Sequence, residues 1–336
     1  MATANTNLRL AGESSRALMC IGAIIFFFAL HISVGAKHIP LANVFDAFLS
    51  YDAKVFDHIV IWDLRLPRAI IALVVGACLA VSGALMQGVT RNALADPGLL
   101  GLLSGASFAV VIGYYFFGST VMPFLPMLAS AGALVAACLV WWIATAAPGG
   151  ARPLTLILSG AAVTAFLAAI ISGVQLLDQD NFQNLRVWLT GSISGSRFEV
   201  LYWCTPWLIG SSAITLYVAR QVTSLAMGDE VAVGLGVNVA KIKMLVLLAV
   251  VGLTSCAVAL AGPMGFIGLV IPHVVRLFVG TDYARVVPYS ALVGAAYLLL
   301  VDIVARMALA PVEISTGLVT SLLGAPFFVW LVKAKL

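Results

Sequence analysis

A chain of 336 residues with 62% hydrophobic residues, 10% charged residues and a mean hydropathy of +1.10 is not a water-soluble domain, in which roughly a quarter of residues are charged. Its net charge of +4 comes from basic residues set singly near the ends of apolar runs, which excludes a nucleic-acid-binding patch. The five cysteines (Cys20, Cys78, Cys138, Cys204, Cys256) lie inside apolar runs without a CxxC pair, so they read as small hydrophobes rather than a disulfide framework.

Crossing about 30 Å of hydrocarbon takes about 20 apolar residues, and only a closed backbone hydrogen-bond pattern survives there. Long apolar runs therefore predict helices, here over 17–35, 67–88, 98–117, 121–146, 154–174, 198–218, 243–261, 265–279, 287–308 and 314–332. The fold class is an all-α polytopic membrane protein of about ten transmembrane helices. The first run follows Arg9 and Arg16 like a signal peptide. It lacks a small-x-small cleavage site and runs into Lys37-His38, so it is read as a retained span. With the N-terminus in the cytosol, both termini are cytosolic. The cytosolic segments then hold eleven basic and five acidic residues, against seven and nine in the outer segments, as the positive-inside rule expects.

Between the spans, three polar stretches stand out. Residues 36–66 alternate Phe45, Phe48, Tyr51, Phe56, Ile59 and Trp62 with Asp46, Asp52, Asp57 and Asp63, a pattern for an interfacial amphipathic helix or a surface connector. Residues 175–197 form a polar outer segment with Trp188 as an interface anchor. Residues 220–243 (RQVTSLAMGDEVAVGLGVNVAKIK) are a cytosolic loop carrying Arg220, Lys241 and Lys243. Asp229-Glu230 opens a short helical segment there, and Gly234 and Gly236 stop it. Such a loop is either a plain connector or a functional one.

An internal echo joins the halves. Leu94-Ala95-Asp96-Pro97-Gly98-Leu99-Leu100-Gly101-Leu102 resembles LAGPMGFIGL over 260–269, with one residue inserted. The predicted topology turns the first copy to the cytosol and the second outward. Repeats of opposite topology with Pro/Gly-broken helices suit an alternating-access transporter. The single domain 1–336 thus divides into inverted repeats at about 67–174 and 243–332, with Pro97, Gly98, Gly262, Pro263 and Gly265 in the broken-helix pathway.

No catalytic constellation is visible. His31, His38, His58 and His273 are dispersed, no spacing suits a metal, and no cofactor is expected. There is no GxxxxGK[ST] phosphate cradle, so the chain does not itself hydrolyse ATP. Asp302 and Arg306 stand i, i+4 and can neutralise each other, as a helix-end pair or in a functional role. Few mid-membrane carboxylates are present, which argues against a proton-coupled carrier and for energy supplied from outside the chain. Arg65 and Arg68, in LRLPR, and Arg306 fall at the outer face, against the usual charge bias. They invite either lipid headgroups or a partner bearing carboxylates.

Six ordered motifs then carry a resemblance: LRLPR (64–68), NALADPGLLG (92–101), GDEVAVGLGV (228–237), GPMGFIGLVIPHVVRL (262–277), DIVARMAL (302–309) and GLVTSLLGAPFFVWLV (317–332). Over about residues 60–333 the chain resembles the permeases of iron–siderophore, haem and vitamin B12 import, the type II ABC importers. That resemblance implies a permease dimer, of identical or homologous subunits, with two ABC ATPase subunits in the cytosol. It also implies that the chain lies in the inner (plasma) membrane with a periplasmic or lipid-anchored substrate-binding protein outside, while the scattered charge argues for no nucleic-acid partner.

By the same resemblance, Gly228, Asp229, Glu230, Gly234 and Gly236 belong to the helices that couple to the ATPase. Arg65, Arg68 and Arg306 match the arginines that dock the binding protein, and Asn92 and Leu94 match the cytosolic gate. Two departures touch gate geometry: Ala93 and Ser315 stand where the family usually has proline, whose ring fixes φ and stops helices. The expected function is ATP-driven import of ferric siderophore, with haem or cobalamin as alternative substrates. A stand-alone ion-coupled transporter is the alternative of another class, ahead of a membrane enzyme.

Overall fold

Each predicted span overlaps a helix in the computed structural model, which describes residues 2–35, 39–98, 100–148, 153–177, 188–195 and 197–335. In chain order the helices are α1 (Ala2–Ser33), α2 (Leu41–Leu49), α3 (Phe56–Ile59), α4 (Leu66–Thr90), α5 (Leu102–Phe117), α6 (Leu125–Ala146) and α7 (Pro153–Leu177). They continue with α8 (Phe198–Ala226), α9 (Asp229–Gly234), α10 (Val239–Ala261), α11 (Ile267–Val279), α12 (Tyr283–Met307) and α13 (Thr316–Lys335). No strand occurs among the described residues. Arg152, Lys37-His38, Leu99 and most of the polar stretch 175–197 (residues 178–187 and 196) lie outside them.

Among the described residues, six stretches are long and apolar enough to cross a membrane, one of them the 45-residue run Leu102–Ala146, which contains both α5 and α6. The helices outside this set have local reasons. α11 has 13 residues, about 20 Å of rise, less than the hydrocarbon thickness. α8 carries Glu199, Pro206 and a run of Ser and Thr, which lower its hydropathy.

Chain chemistry sets the breaks. Pro67 has no N–H to donate, and the six residues before α4, Val60–Arg65, run as a π-helix. α5 starts four residues later than its apolar run suggests, because Gly101 sits at φ 77° and caps it. A 3₁₀ turn (Gly118–Phe124) with Pro123 separates α5 from α6.

One boundary differs from expectation. α8 continues through Arg220 to Ala226 and α10 begins at Val239, so the polar linker contracts from 220–243 to the residues around α9. Arg220, Gln221 and Leu225 are good helix formers, and no helix breaker occurs until Gly228, at φ 128°.

Small residues bring the central helices together. α4 packs along α12 through Gly76 and Gly294, where a Cβ on either would overlap the other's carbonyl oxygen. Gly83 meets the Gly268 backbone of α11 in the same way, and Gly105 of α5 meets Gly132 of α6. Where lipid tails are as apolar as the side chains, such backbone contact supplies the packing that holds helices together. α4 is accordingly the most enclosed helix, with 18 buried residues, while α7 keeps Leu158 and Phe166 exposed to the surroundings.

The interfacial pattern of 36–66 folds as α2, α3 and the π-segment. α2 buries Val44 and Ala47 and exposes Leu41, Phe45, Phe48 and Leu49. Trp62 donates from Nε1 to the Ala47 carbonyl at 2.9 Å and ties the π-segment to α2.

Candidate functional site

The charged residues of the bundle gather at its two ends, and the ends are built differently. At one end α1 and α12 finish and α4 begins. Asp302, fully buried on α12, is the hub. Its Oδ2 accepts from Nε2 of His31 on α1 at 2.9 Å and from Nε of Arg68 on α4 at 2.8 Å. Its Oδ1 accepts from Nη2 of Arg68 at 3.0 Å and from the Thr316 hydroxyl at 2.8 Å. A carboxylate only accepts, so His31 carries its proton on Nε2. Arg68 thereby grips Asp302 in the two-pronged geometry that suits a guanidinium. Its third nitrogen, Nη1, donates to Oε2 of Glu313 at 2.8 Å.

The other two arginines face inward as well. Arg65 donates through Nη1 to the carbonyls of Ile32 at 2.5 Å and Ser33 at 2.7 Å. Arg306 donates to the carbonyls of Val34 at 3.0 Å and His31 at 3.1 Å, with its Nε 3.4 Å from Asp302. The last carbonyls of a helix lack intrahelical donors and carry the negative end of its dipole. Arg65 and Arg306 satisfy those of α1. Both are buried, at 6% and 5% exposure. The structure thus brings the three sequence-predicted arginines together. It places carboxylates for them, Asp302 and Glu313, in the same chain, and it joins Asp302 and Arg306 as the i, i+4 spacing suggests. His31, Thr316 and Glu313 were missed by sequence reasoning. The available signal was Asp302 itself, an acid in an apolar helix that demands several donors.

At the opposite end α4 and α8 finish and α10 begins. Gly228, at φ 128°, turns the chain out of α8 and into the six-residue α9. Oδ2 of Asp229 accepts from Nζ of Lys243 at 2.6 Å, and Oδ1 lies 3.6 Å from Nη2 of Arg91. Both ion pairs are partly exposed. Glu230 is exposed, Gly234 ends α9 facing open space, and Gly236 sits at φ 79°. The Asn238 side chain then accepts from the Lys241 N–H at 3.0 Å and caps α10. Met227, Val231, Val233 and Leu235 stand exposed around this short helix.

Beside it, Arg91 takes a left-handed conformation (φ 52°) as α4 ends, and Asn92 and Leu94 follow. The Asn92 side chain accepts from the Leu94 N–H at 2.9 Å in a local turn. Asn92 and Leu94 line a cavity of about 230 Å³ together with Arg91, Trp141 and Lys243.

The two echoed segments also meet. The Gly98 N–H donates to Oδ2 of the buried Asp96 at 2.9 Å, while the other oxygen of that carboxylate packs against Gly268, where a Cβ would stand only 2.7 Å away. Asp96, in the echoed segment between α4 and α5, is buried. Gly262 bends the chain after α10 at φ 71°, and Pro263 and Gly265 follow it into α11. There the Ser192 N–H donates to the Ala261 carbonyl at 2.8 Å, and the Gly317 N–H donates to that of Gly191 at 2.7 Å. The helix break and the start of α13 are thus stitched to the same turn.

A model of the FecCD transport family matches residues 23–334. The chain belongs to that family. Among FecCD relatives it is 41% identical over 320 residues to the iron(3+)-hydroxamate import system permease protein FhuB of Bacillus subtilis, covering 95% of this chain and 81% of that one. It is 38% identical over 312 residues to the ferric enterobactin transport system permease protein FepD of Escherichia coli, covering 93% of each. It is 38% identical over 304 residues to the cobalamin import system permease protein BtuC of Halobacterium salinarum, covering 90% and 81%. A solved structure described as an inward-facing conformation of a metal-chelate type ABC transporter superposes with a TM-score of 0.78 at 30% identity, over 94% of this chain and 97% of that one. The FecCD chain is therefore an all-α membrane permease of the ABC-importer type, a transport subunit rather than an enzyme.

Proposed function

We propose that this FecCD chain is the membrane-spanning subunit of an ATP-driven importer that moves a ferric siderophore into the cytosol. The observation that carries the substrate class is the identity of 38–41% to permeases described for iron(3+)-hydroxamate, Fe(3+)-citrate and ferric enterobactin. The cobalamin permease at 38% keeps cobalamin as the second reading.

The mechanism follows from the two ends. The end with Asp229 faces the cytosol. There α9, with the uncovered apolar side chains of Met227, Val231, Val233 and Leu235 on it and beside it, seats in one of two ATPase subunits. ATP binding moves α9, and the motion reaches the Asn92–Leu94 turn next to it. The end with Arg68 faces the outside and receives the substrate-binding protein, while a second permease copy completes the pathway. Segments 67–174 and 243–332 act as inverted repeats, whose breaks at Pro97–Gly98 and Gly262–Gly265 line the route. The opposite running directions of α4 and α10 support that pairing. α4 starts beside Arg65 and ends beside Asp229, where α10 begins.

Uptake of radio-iron as a ferric hydroxamate and as ferric citrate, by iron-starved cells with and without the chain, tests the proposal. Labelled haem and cobalamin are run in parallel. Loss of iron uptake alone is the expected result. Loss of cobalamin or haem uptake with iron uptake intact replaces the substrate, and no change in any of them refutes the assignment.

A further inference from the structure

The arginine end offers little free positive charge. Arg65 and Arg306 are buried, and their charged groups point at α1 carbonyls. Arg68 gives two of its nitrogens to Asp302. The third nitrogen of Arg68, Nη1, is held by Glu313 at 2.8 Å. The two carboxylates on Arg68 differ sharply in access. The Asp302 side chain is 0% exposed, whereas that of Glu313 is 36% exposed.

Glu313 also sits where it can leave. It lies on the loop between α12 and α13, and the backbone on its C-terminal side is pinned. The Ile314 N–H donates to the Ala305 carbonyl at 3.0 Å, and the Thr316 hydroxyl holds Asp302. A rotation of the Glu313 side chain therefore frees Nη1 without moving the loop. The cluster does not tolerate the gap, however. Asp302 and Glu313 together offset Arg68 and Arg306, while Asp57 acts on Arg65, and removing Glu313 would leave Asp302 alone against two guanidinium groups. An uncompensated charge with so little access to water is costly. Another carboxylate must take its place. Around this position the loop exposes Leu309 and Val312, which give such a carboxylate an apolar rim.

We infer that Glu313 is an internal stand-in for a carboxylate on the docking protein, and that docking exchanges one for the other on Nη1 of Arg68. The inference rests on the outward placement of this end and on the docking role proposed for it. The partner it fits is a protein presenting an acidic side chain within a small apolar patch. Charge is conserved in the exchange, so the buried cluster keeps its balance while the outer contact switches from intramolecular to intermolecular.

Two measurements on the full transporter in lipid nanodiscs test this. In the first, modification of Arg68 by an arginine-specific dicarbonyl reagent is followed by peptide mass spectrometry. Glu313→Gln is expected to speed modification of Arg68 relative to the wild type, and equal protection in both would overturn the inference. The second measures the affinity of the substrate-binding protein that supports ferric-siderophore uptake with the wild-type complex. Glu313→Gln removes the competitor and is expected to tighten docking by about two- to fivefold, the yield of one partly exposed ion pair. Arg68→Lys, which keeps the charge but loses the fork, is expected to weaken it. Weaker docking with Arg68→Lys but no change or a loss with Glu313→Gln overturns the exchange alone. No change with either variant overturns the docking role itself.

Discussion

The two ends of the bundle hold similar numbers of charges in opposite ways. At the Asp302 end every guanidinium is engaged and the hub carboxylate is wholly enclosed, with partners drawn from α1, α4, α12 and the start of α13. At the Asp229 end the ion pairs are half in water, one is stretched to 3.6 Å, and the neighbouring apolar side chains have no cover. Ion pairs of the first kind, once formed, are strongly destabilising to break, while those of the second contribute little. The first end is a clasp that fixes which helices belong together. The second leaves the apolar side chains around α9 open, where the proposed ATPase would seat.

Breaking the clasp should have the largest effect. Asp302→Ala removes the buried carboxylate shared by Arg68 and Arg306 and is expected to destabilise the purified chain by about 3–5 kcal/mol, read as thermal unfolding in detergent. A bulky residue at the helix contact that the clasp secures comes next. Gly76→Val drives a side chain into the Gly294 carbonyl and is expected to cost at least about 1–3 kcal/mol in the same assay.

At the other end the expected effects shrink. Gly236→Ala places a Cβ at φ 79° and should cost about 1–2 kcal/mol, whereas Gly234→Ala, facing open space, should leave the isolated chain unchanged. A bulky Gly234→Trp should nevertheless lower uptake per ATP hydrolysed. Equal uptake would remove Gly234 from the coupling surface. Lys243→Ala is expected to change the isolated chain's stability by less than about 1 kcal/mol, because its pair with Asp229 is partly exposed. A large loss there would show that this end is a clasp too.

The same contrast explains what the sequence reveals. Helix positions were legible because apolar run length is a local property, and the breaks at Pro97–Gly98 and Gly262 were legible because glycine and proline mark them. The stop of α9 at Gly234 was read for the same reason. The extension of α8 through Arg220 was not, since a polar stretch was taken as a loop although it contains no helix breaker before Gly228. The clasp was least legible. His31 and Asp302 lie 271 positions apart, and Arg65 caps a helix whose end is 32–33 residues upstream. No periodicity links such residues. The charge bias offered lipid headgroups or a partner's carboxylates for the arginines, and it gave no sign that Asp302 and Glu313 of the same chain stand beside Arg68. The open surface around α9 was legible only through the resemblance to known permeases, because an exposed Val233 or Leu235 looks like any membrane residue until its helix is placed.

The most direct measurement is of what covers α9. The chain is purified from cells that express its ATPase, as wild type and as the Leu235→Arg variant, and the amount of ATPase retained per permease is determined. Leu235 is 63% exposed, so the substitution should leave the chain folded while spoiling the apolar surface. The wild type is expected to retain the ATPase and the variant to lose most of it, with thermal unfolding of the permease itself unchanged. Full retention by the variant would contradict the assignment of this end to the ATPase.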